Sequence, residues 1–257
     1  MISAVLINYN EAHVLRRCLK SIKNFVSEIV VIDLGSTDES HQVFREFGVK
    51  VFTHSWVPYA DPIRNFAISK AKGDWILMLD PDEQLSESLI KRLQLFLLSE
   101  ESKNNVAVNI PFKNIFFGKW ISHTNFWPDK HLRLFKKGFL VWEDQVHKYP
   151  RVDGSILELP DQEQYAVIHE SYHTWSEFII KQKKYALSEA KNRKKEGETF
   201  SLFRLVWLPL REFLARFIKH KGYLDGINGA FLVIILMWYH ILVEWYLVQG
   251  VKNEASK

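Results

Sequence analysis

Three carboxylates lie close together in the segment Asp80-Pro81-Asp82-Glu83, directly after the apolar run 75–79. Carboxylates this close repel one another unless a cation lies between them. Oxygen ligands suit Mg²⁺ or Mn²⁺, and both ions also neutralise phosphate groups. An isolated pair of this kind is more often a polar turn before a helix, so the elements around it must decide its role.

The elements that would position these carboxylates are short apolar strands. Four predicted strands, at residues 4–9, 28–33, 49–53 and 75–79, alternate with three amphipathic helices. Apolar runs without alternation indicate strands buried on both faces. The order therefore predicts an α/β fold with a mostly parallel sheet flanked by helices.

Polar residues end three of these strands, at 8–11, at Asp33 and at 80–83. Ligands of such sheets bind outside the carboxyl ends of the strands. We therefore expect these three groups to converge on one site.

The second half of the chain is harder to interpret. A strand is predicted at 106–111, and the stretch 114–149 is aromatic and basic, which suits a sugar but also ordinary core packing. The partly strand-like segment 156–167 leads to His169, which we expect to be a hydrogen-bonded core residue rather than a metal ligand. A capping-box pattern at Thr174 opens a basic helix running to about residue 196.

Composition narrows the class of protein. Hydrophobic residues make up 47% of the 257 residues and charged residues 25%, which argues against general disorder. The single cysteine, Cys18, excludes an intrachain disulfide and a multi-cysteine metal site. Because the first predicted strand follows Met1 almost at once, we expect no cleaved signal peptide and a catalytic part that faces the cytoplasm.

The C-terminal third is basic and hydrophobic. Residues 176–221 hold 12 Lys and Arg but 5 Asp and Glu, a local charge of +7, whereas the rest of the chain carries −3. Residues 230–249 contain 17 apolar or aromatic residues among 20, a span that reaches about 30 Å as a helix. The segment 202–218 is apolar but contains three arginines and Pro209, which we expect to break it.

These features predict attachment to an anionic membrane surface, with 230–249 lying in the plane rather than spanning. His240 and Glu244 share one face of that helix, and an acidic residue is costly deep in lipid. The alternative is a helical subdomain that packs on itself or on a second subunit as a homo-oligomer.

Six short motifs occur in order over residues 1–148: Asn8-Tyr9-Asn10-Glu11, Asp33-Leu34-Gly35-Ser36-Thr37-Asp38, Arg64-Asn65, Leu79-Asp80-Pro81-Asp82-Glu83, Arg133-Leu134-Phe135 and Val146-His147. This set resembles family 2 glycosyltransferases of the inverting GT-A type, and within them the lipopolysaccharide-core β-1,4-glucosyltransferase subgroup. The resemblance implies a GT-A catalytic domain over 1–170, with a nucleotide-sugar half (1–112) and an acceptor half (113–170). A helical, membrane-associating region over 171–257 would follow.

The resemblance also implies roles for the donor-binding residues. Tyr9 and Glu11 would contact the base and ribose, and Asp33 the uracil edge. Arg64 would lie near the diphosphate, where positive charge stabilises the leaving group.

The same resemblance implies a metal site and a general base. Asp80 and Asp82 would bind the ribose and a Mg²⁺ or Mn²⁺ ion that bridges the phosphates. The general base would be Asp144, or Glu143 beside it. The subgroup often has a glutamate where this chain has Lys148, so that position cannot supply the base.

The function implied is transfer of a sugar from a UDP-sugar to a membrane-borne glycolipid or polysaccharide precursor, such as a lipopolysaccharide core, at the cytoplasmic face of the inner membrane. No nucleic-acid partner is expected. A nucleotidyltransferase of similar fold and a non-catalytic membrane scaffold are the alternatives. The absence of a Gly-rich phosphate loop after the first strand argues against the former, and retention of the paired carboxylates against the latter.

Overall fold

The computed structural model describes residues 1–142 and 150–250. Its strands are β1 (Ile2–Asn8), β2 (Glu28–Asp33), β3 (Lys50–Thr53), β4 (Trp75–Leu79), β5 (Glu83–Leu85), β6 (Ala107–Phe116), β7 (Lys119–Trp120), β8 (Asp129–Lys136), β9 (Leu140–Val141), β10 (Arg151–Val152), β11 (Ile156–Glu158) and β12 (Val167–Tyr172). Its α-helices are α1 (Ala12–Ile22), α2 (Ser40–Phe47), α3 (Arg64–Lys70), α4 (Glu87–Leu98), α5 (Glu101–Asn104), α6 (Trp175–Lys195), α7 (Leu202–Glu212) and α8 (Gly226–Val248).

The main sheet has the strand order β3-β2-β1-β4-β8-β6-β12-β5. The four strands β3, β2, β1 and β4 are parallel, whereas β8 is antiparallel to both β4 and β6. In β1, Ala4 and Leu6 belong to one apolar core, and Val5 and Ile7 belong to the other. Burial on both faces explains the unbroken apolar runs. The predicted α/β sheet flanked by helices is confirmed, as a mixed sheet with a parallel N-terminal block.

Element boundaries differ from the predictions by a few residues. The helix expected from about residue 62 begins as a 3₁₀ turn, Asp61–Ile63, and continues as α3. The strand expected to end at Pro111 runs on to Phe116, because β8 pairs with β6 as far as Phe112 and β7 pairs with Ile115 and Phe116.

The chain forms two compact units. Unit 1 comprises Met1–Lys113 and Asp129–His169, and unit 2 comprises Asn114–Pro128 and Glu170–Lys257. The chain passes from unit 1 to unit 2 after Lys113 and again after His169, and it returns to unit 1 at Asp129. The stretch 114–128, which we had included in the catalytic domain, belongs to unit 2.

Unit 2 holds this stretch through one buried carboxylate and an apolar cluster. Asp225 is 3% exposed at its side chain and accepts hydrogen bonds from the Ser122 and His123 backbone N–H groups and from Thr124 Oγ1, at 3.1, 3.0 and 2.8 Å. The cluster contains residues from both segments of the unit: Phe116, Ile121, Phe178, Leu232 and Ile235.

The C-terminal helices agree with the sequence prediction at the start of α6 but differ from it in α7. Thr174 and Glu177 form both halves of the capping box, which confirms the start of α6. The expected break at Pro209 is wrong: the proline lies inside α7, and the backbone changes only afterwards, to a π-helix over Phe213–Lys219. Residues Gly222–Val248 form a helical stretch that is long and apolar enough to cross a bilayer, by length and composition alone.

Candidate active site

The strand-end residues meet at one edge of the parallel block in unit 1. Asn8 and Asp33 are register partners at the ends of β1 and β2. Asp80 directly follows Leu79, which pairs with Leu6 in β1. The sheet therefore brings together the three groups that were predicted to converge.

Asp33 is held by the loop that follows it. Its carboxylate is 1% exposed and accepts hydrogen bonds from Ser36 Oγ at 2.6 Å and from the Ser36 backbone N–H at 3.2 Å. Asn8 Nδ2 donates to the Ser36 and Ser40 hydroxyls at 3.0 and 3.1 Å. His41 Nε2 lies 3.6 Å from Asp33 Oδ2 and is half exposed. Asp33, Asn8, Ser36 and Ser40 thus form a preorganised polar group at this strand end, which we call the Asp33 rim.

Two exposed aromatic rings lie next to this rim. Tyr9 is 43% exposed, and its ring contacts that of Trp56, 58% exposed, edge to face at 6.3 Å between centroids. Glu11 occupies the N-cap position of α1. Trp56 was not among the residues predicted from the sequence. The available signal was a large aromatic residue in a turn-rich segment directly after a predicted strand end.

Asp80 lies between two arginines. Its Oδ1 is 3.4 Å from Arg64 Nη2, and its Oδ2 is 3.0 Å from Arg133 Nη2. Partial burial opposes ionisation of Asp80, but the two guanidinium charges outweigh it and hold the pKa of this carboxyl well below its usual range. Asp80 therefore stays ionised, with an arginine on each carboxylate oxygen.

Arg64 retains donor capacity beyond these contacts. Its Nε donates to Asp61 at 3.1 Å, and its guanidinium lies 5.4 Å from the centre of the Trp142 ring. Its Nη1 is buried without a hydrogen-bond partner among the described residues. A buried guanidinium nitrogen is costly to leave unpaired, so this position suits an anionic ligand.

Glu83 is buried, at 1% exposure, and it forms an ion pair with Arg133. Burial, aided by the negative charge of Asp80, raises the pKa of Glu83 to about 7 against the opposing effect of Arg133. The Arg133 guanidinium also lies over the Phe112 ring, at 5.1 Å. Arg133 thus connects Asp80 to Glu83 from a neighbouring antiparallel strand.

Asp82, Glu83 and His169 form a cluster that could hold a metal ion, with their ligand atoms within 4.8 Å of one another. The pairing of β5 with β12 explains it, because His169 is the register partner of Glu83. His169 Nε2 is 3.4 Å from Asp82 Oδ2. Partial burial lowers the pKa of His169, but the hydrogen bond and charge of Asp82 outweigh it and raise this pKa overall.

The predicted metal residues thus fall into two groups. Asp82 lies with Glu83 and His169, and Asp80 lies with the arginines. His169, which we had expected to be a core residue, is 27% exposed at its side chain and lies in the carboxylate cluster. The signal that could have identified it is a histidine in a strand-like segment, but its partner strand could not be read from the sequence.

Glu143 and Asp144, the expected base residues, lie outside the described residues. The residue before them is anchored: Asn65 Nδ2 donates to the Trp142 carbonyl at 2.7 Å, and the Trp142 N–H donates to Asn65 Oδ1 at 3.1 Å. Because Arg64 and Asn65 are adjacent on α3, Trp142 is held beside the arginine that contacts Asp80.

Comparison with known proteins identifies the family. The model of glycosyl transferase family 2 matches residues 3–151. The chain belongs to glycosyl transferase family 2. An uncharacterized glycosyltransferase of Rickettsia felis is 29% identical over 245 residues, covering 89% of this chain and 82% of that protein. One of Rickettsia typhi is 27% identical over 236 residues, covering 89% and 80%.

A solved structure supports the fold of this family 2 glycosyltransferase. The mannosyltransferase PcManGT from Pyrobaculum calidifontis, in complex with GDP-Man and Mn²⁺, covers 97% of this chain and 87% of its own, with a TM-score of 0.53 at 13% identity. The predicted GT-A fold and the family are thereby confirmed, and the chain is a glycosyltransferase rather than a nucleotidyltransferase or a scaffold.

Proposed function

We propose that this family 2 glycosyltransferase transfers a sugar, with inversion at the anomeric carbon, from a UDP-sugar to a membrane-borne glycolipid or polysaccharide precursor such as a lipopolysaccharide core. The observation that carries the proposal is the junction at one sheet edge of the Asp33 rim, the Arg64–Asp80–Arg133 group and the Asp82–Glu83–His169 cluster. A nucleotide sugar requires base recognition, diphosphate neutralisation and a cation site, and these three groups offer them side by side.

The base-recognition part uses the Asp33 rim. The Asp33 carboxylate accepts hydrogen bonds from Ser36 and has further lone pairs that could accept from the imide N–H of uracil. Tyr9 and Trp56 present aromatic faces for the base or ribose, and Glu11 is the proposed ribose contact. A carboxylate acceptor at this position matches the N3–H of uracil, as the proposed UDP-sugar requires.

The residues of the cation site fit a divalent metal. Asp82 and His169 would hold Mn²⁺ or Mg²⁺, with Glu83 behind them, and carboxylate with imidazole is a donor set that suits Mn²⁺ in particular. When bound, the ion would neutralise the diphosphate of the departing nucleotide. Asp80 forms ion pairs with Arg64 and Arg133 and orients their guanidinium groups. It remains a candidate ribose or metal contact.

Arg64 is the proposed protein contact to the diphosphate. Its buried Nη1 has no hydrogen-bond partner among the described residues, and donors placed where charge develops lower the barrier to departure of the leaving group.

The proposed base is Asp144, with Glu143 as the alternative. Inversion needs one group that takes the proton from the acceptor hydroxyl as that oxygen attacks the anomeric carbon. Trp142, fixed by Asn65, starts the segment that carries both carboxylates.

The proposed localisation of the enzyme is the cytoplasmic face of the inner membrane, where the acceptor lipid would be found. The apolar helical stretch Gly222–Val248 is weakly compatible with this location. Association of two copies through the C-terminal helices stays an alternative use of that region.

The test is UDP release by the purified chain from a panel of nucleotide sugars with Mn²⁺, with and without a lipid extract as acceptor. We expect release from one UDP-sugar, stimulation by the extract, loss in excess chelator, and an inverted linkage in the product by NMR. Release of GDP instead of UDP, or a retained linkage, would contradict the proposal.

A further inference from the structure

Exposed apolar side chains are concentrated at the C-terminal end of the described chain. Of the 28 large apolar side chains that are exposed in residues 1–142 and 150–250, 16 lie between residues 200 and 248. Soluble monomers rarely expose so much contiguous apolar surface unless it serves an interaction. This part of unit 2 therefore needs a covering partner.

The exposed positions lie on one face of each helix. On α8 they are separated by three, four or seven residues, which places them along one stripe: Ile227, Phe231, Ile234, Ile241, Trp245 and Val248. On α7 and the π-helix that follows, Phe203, Val206, Leu210 and Leu214 repeat at the same spacings. We call these two stripes together the outer face.

Glu244 and His240 of α8 make their polar contacts inside unit 2. Glu244 is fully buried and accepts hydrogen bonds from the Ser201 N–H at 2.9 Å and from Arg204 Nε at 2.7 Å, with Arg193 Nη1 at 3.7 Å. His240 Nε2 lies 3.6 Å from Glu212. The charge that makes α8 a poor lipid-embedded helix is thus satisfied inside unit 2.

Within residues 200–248, the exposed charged side chains are all positive. The three acidic residues of this stretch, Glu212, Asp225 and Glu244, are at most 15% exposed at their side chains and are all paired or hydrogen-bonded. Arg211, Lys219 and Lys221, in contrast, are exposed. An apolar face with exposed cations and no exposed carboxylate complements an anionic lipid surface.

We propose that the outer face of α7 and α8 is a lipid-binding surface that lies in the plane of an anionic bilayer. This deepens the proposed function and rests on it for the place of the acceptor. A second copy fits less well, because the exposed cations of Lys219 and Lys221 would be brought together with no exposed carboxylate from 202–248 to pair with them.

A spanning α8 also fits less well. Ala186 and Ala190 of α6 pack against Val243 and Leu247 of α8, and α6 is rich in lysine and arginine. A spanning α8 would take this basic helix into the hydrocarbon, at a high cost for each charge. An in-plane orientation leaves α6 in water.

The test is flotation of the full-length protein with sealed vesicles of phosphatidylcholine alone or with one quarter phosphatidylglycerol. We expect binding to the anionic vesicles, at least tenfold weaker binding to the neutral ones, and partial release at high salt. The variant Ile227→Ser/Ile234→Ser should bind at least tenfold more weakly, and Arg211→Gln/Lys219→Gln about tenfold or more.

Matched controls carry the same chemical changes elsewhere. Leu95→Ser/Leu98→Ser removes two exposed apolar side chains from α4, and Lys20→Gln/Lys91→Gln removes two exposed cations from unit 1. Both should bind vesicles like the unaltered protein. A tag after Lys257 should stay accessible to protease added outside the vesicles.

Several outcomes would overturn the proposal. They are no vesicle binding by the unaltered protein, equal binding by all variants, or a protected tag. Conversion of a dimer to a monomer by Ile227→Ser/Ile234→Ser without vesicle binding would assign the outer face to a second copy. UDP release measured without vesicles is independent of these readouts, so vesicle binding by a chain that uses no UDP-sugar would reject the proposed function alone.

Discussion

At the scale of single residues, three neighbouring carboxylates of the active site differ in their partners and therefore in what they can bind. Asp80, Asp82 and Glu83 are almost adjacent in sequence but have different surroundings. Asp80 lies between arginines, Glu83 is buried against Arg133, and Asp82 lies beside His169. Among these three, only Asp82 has no arginine in contact within the part of the chain that the structure describes, so it is the carboxylate best placed to accept a cation.

Asp82→Asn should lower transfer by at least about 10²-fold, the order of loss on removing a charged catalytic contact, and should weaken Mn²⁺ binding measured by calorimetry. The fold should persist, because Asp82 is partly exposed and the amide has the same shape. Asp153→Asn, at an exposed position in the same unit, is the control. Full metal-dependent activity of Asp82→Asn would refute the assignment.

Asp144→Asn should lower kcat by at least about 10²-fold, the lower end of general-base contributions. Binding of the nucleotide sugar should change little, because the base contacts the acceptor. Single-turnover kinetics and donor binding should be measured for this variant and for Glu143→Gln. A dead Glu143→Gln with a nearly normal Asp144→Asn would move the base by one residue.

At the scale of elements, the first strands are joined by a carboxylate away from the active site. Glu28, at the start of β2, accepts hydrogen bonds from Ser3 Oγ at 2.5 Å, Lys50 Nζ at 2.6 Å and the Lys72 N–H at 2.5 Å. Burial raises the pKa of Glu28, but these hydrogen bonds outweigh it and lower the pKa to about 2. One side chain thus links β1, β2, β3 and the loop before β4.

This shift predicts a pH dependence of stability. The pKa of Glu28 is lower in the folded chain than in the unfolded one, so its contribution is present above about pH 4.5 and is lost as the pH falls towards 2. Glu28→Gln should lower the free energy of unfolding by about 1–2 kcal/mol at pH 7 and by roughly half as much or less at pH 3. Urea denaturation at both pH values tests this, with the exposed Glu100→Gln as control. An equal loss at both pH values would show that ionisation of Glu28 is not the cause.

At the scale of the whole molecule, the second unit is discontinuous in sequence. The stretch 114–128 packs with the C-terminal helices of unit 2, through Asp225 and the cluster around Phe116 and Leu232. A chain that ends at Glu198 would lack Asp225, Leu232 and Ile235, which contact residues of 114–128 or belong to the same apolar cluster.

Truncation after Glu198 should therefore give a chain with low soluble yield and strong binding of a hydrophobic dye, because the apolar residues of 114–128 lose their cover. Asp225→Asn is the milder test: it weakens hydrogen bonds to a buried charge and should lower the free energy of unfolding by about 1–3 kcal/mol. Normal solubility and an unchanged unfolding midpoint for both would refute this role of unit 2.

Local patterns were enough to predict much of this protein. The apolar runs of β1, β2 and β4, the capping box at Thr174 and the order of the motifs all depend on neighbours within a few residues. The covalent chain fixes those neighbours, so periodicity and turn chemistry indicate them directly. The parallel strands then had to bring Asn8, Asp33 and Asp80 to one edge.

Other features depended on pairings between distant segments. His169 reaches Asp82 because β12 pairs antiparallel with β5, some 86 residues earlier, and Arg133 reaches Asp80 because β8 lies beside β4. Glu244 turns inward because Arg204 comes from another helix. Local periodicity contains no information about such long-range register, so only the tertiary structure decided which side chains share the metal cluster, the arginine pair and the interior of the C-terminal helices.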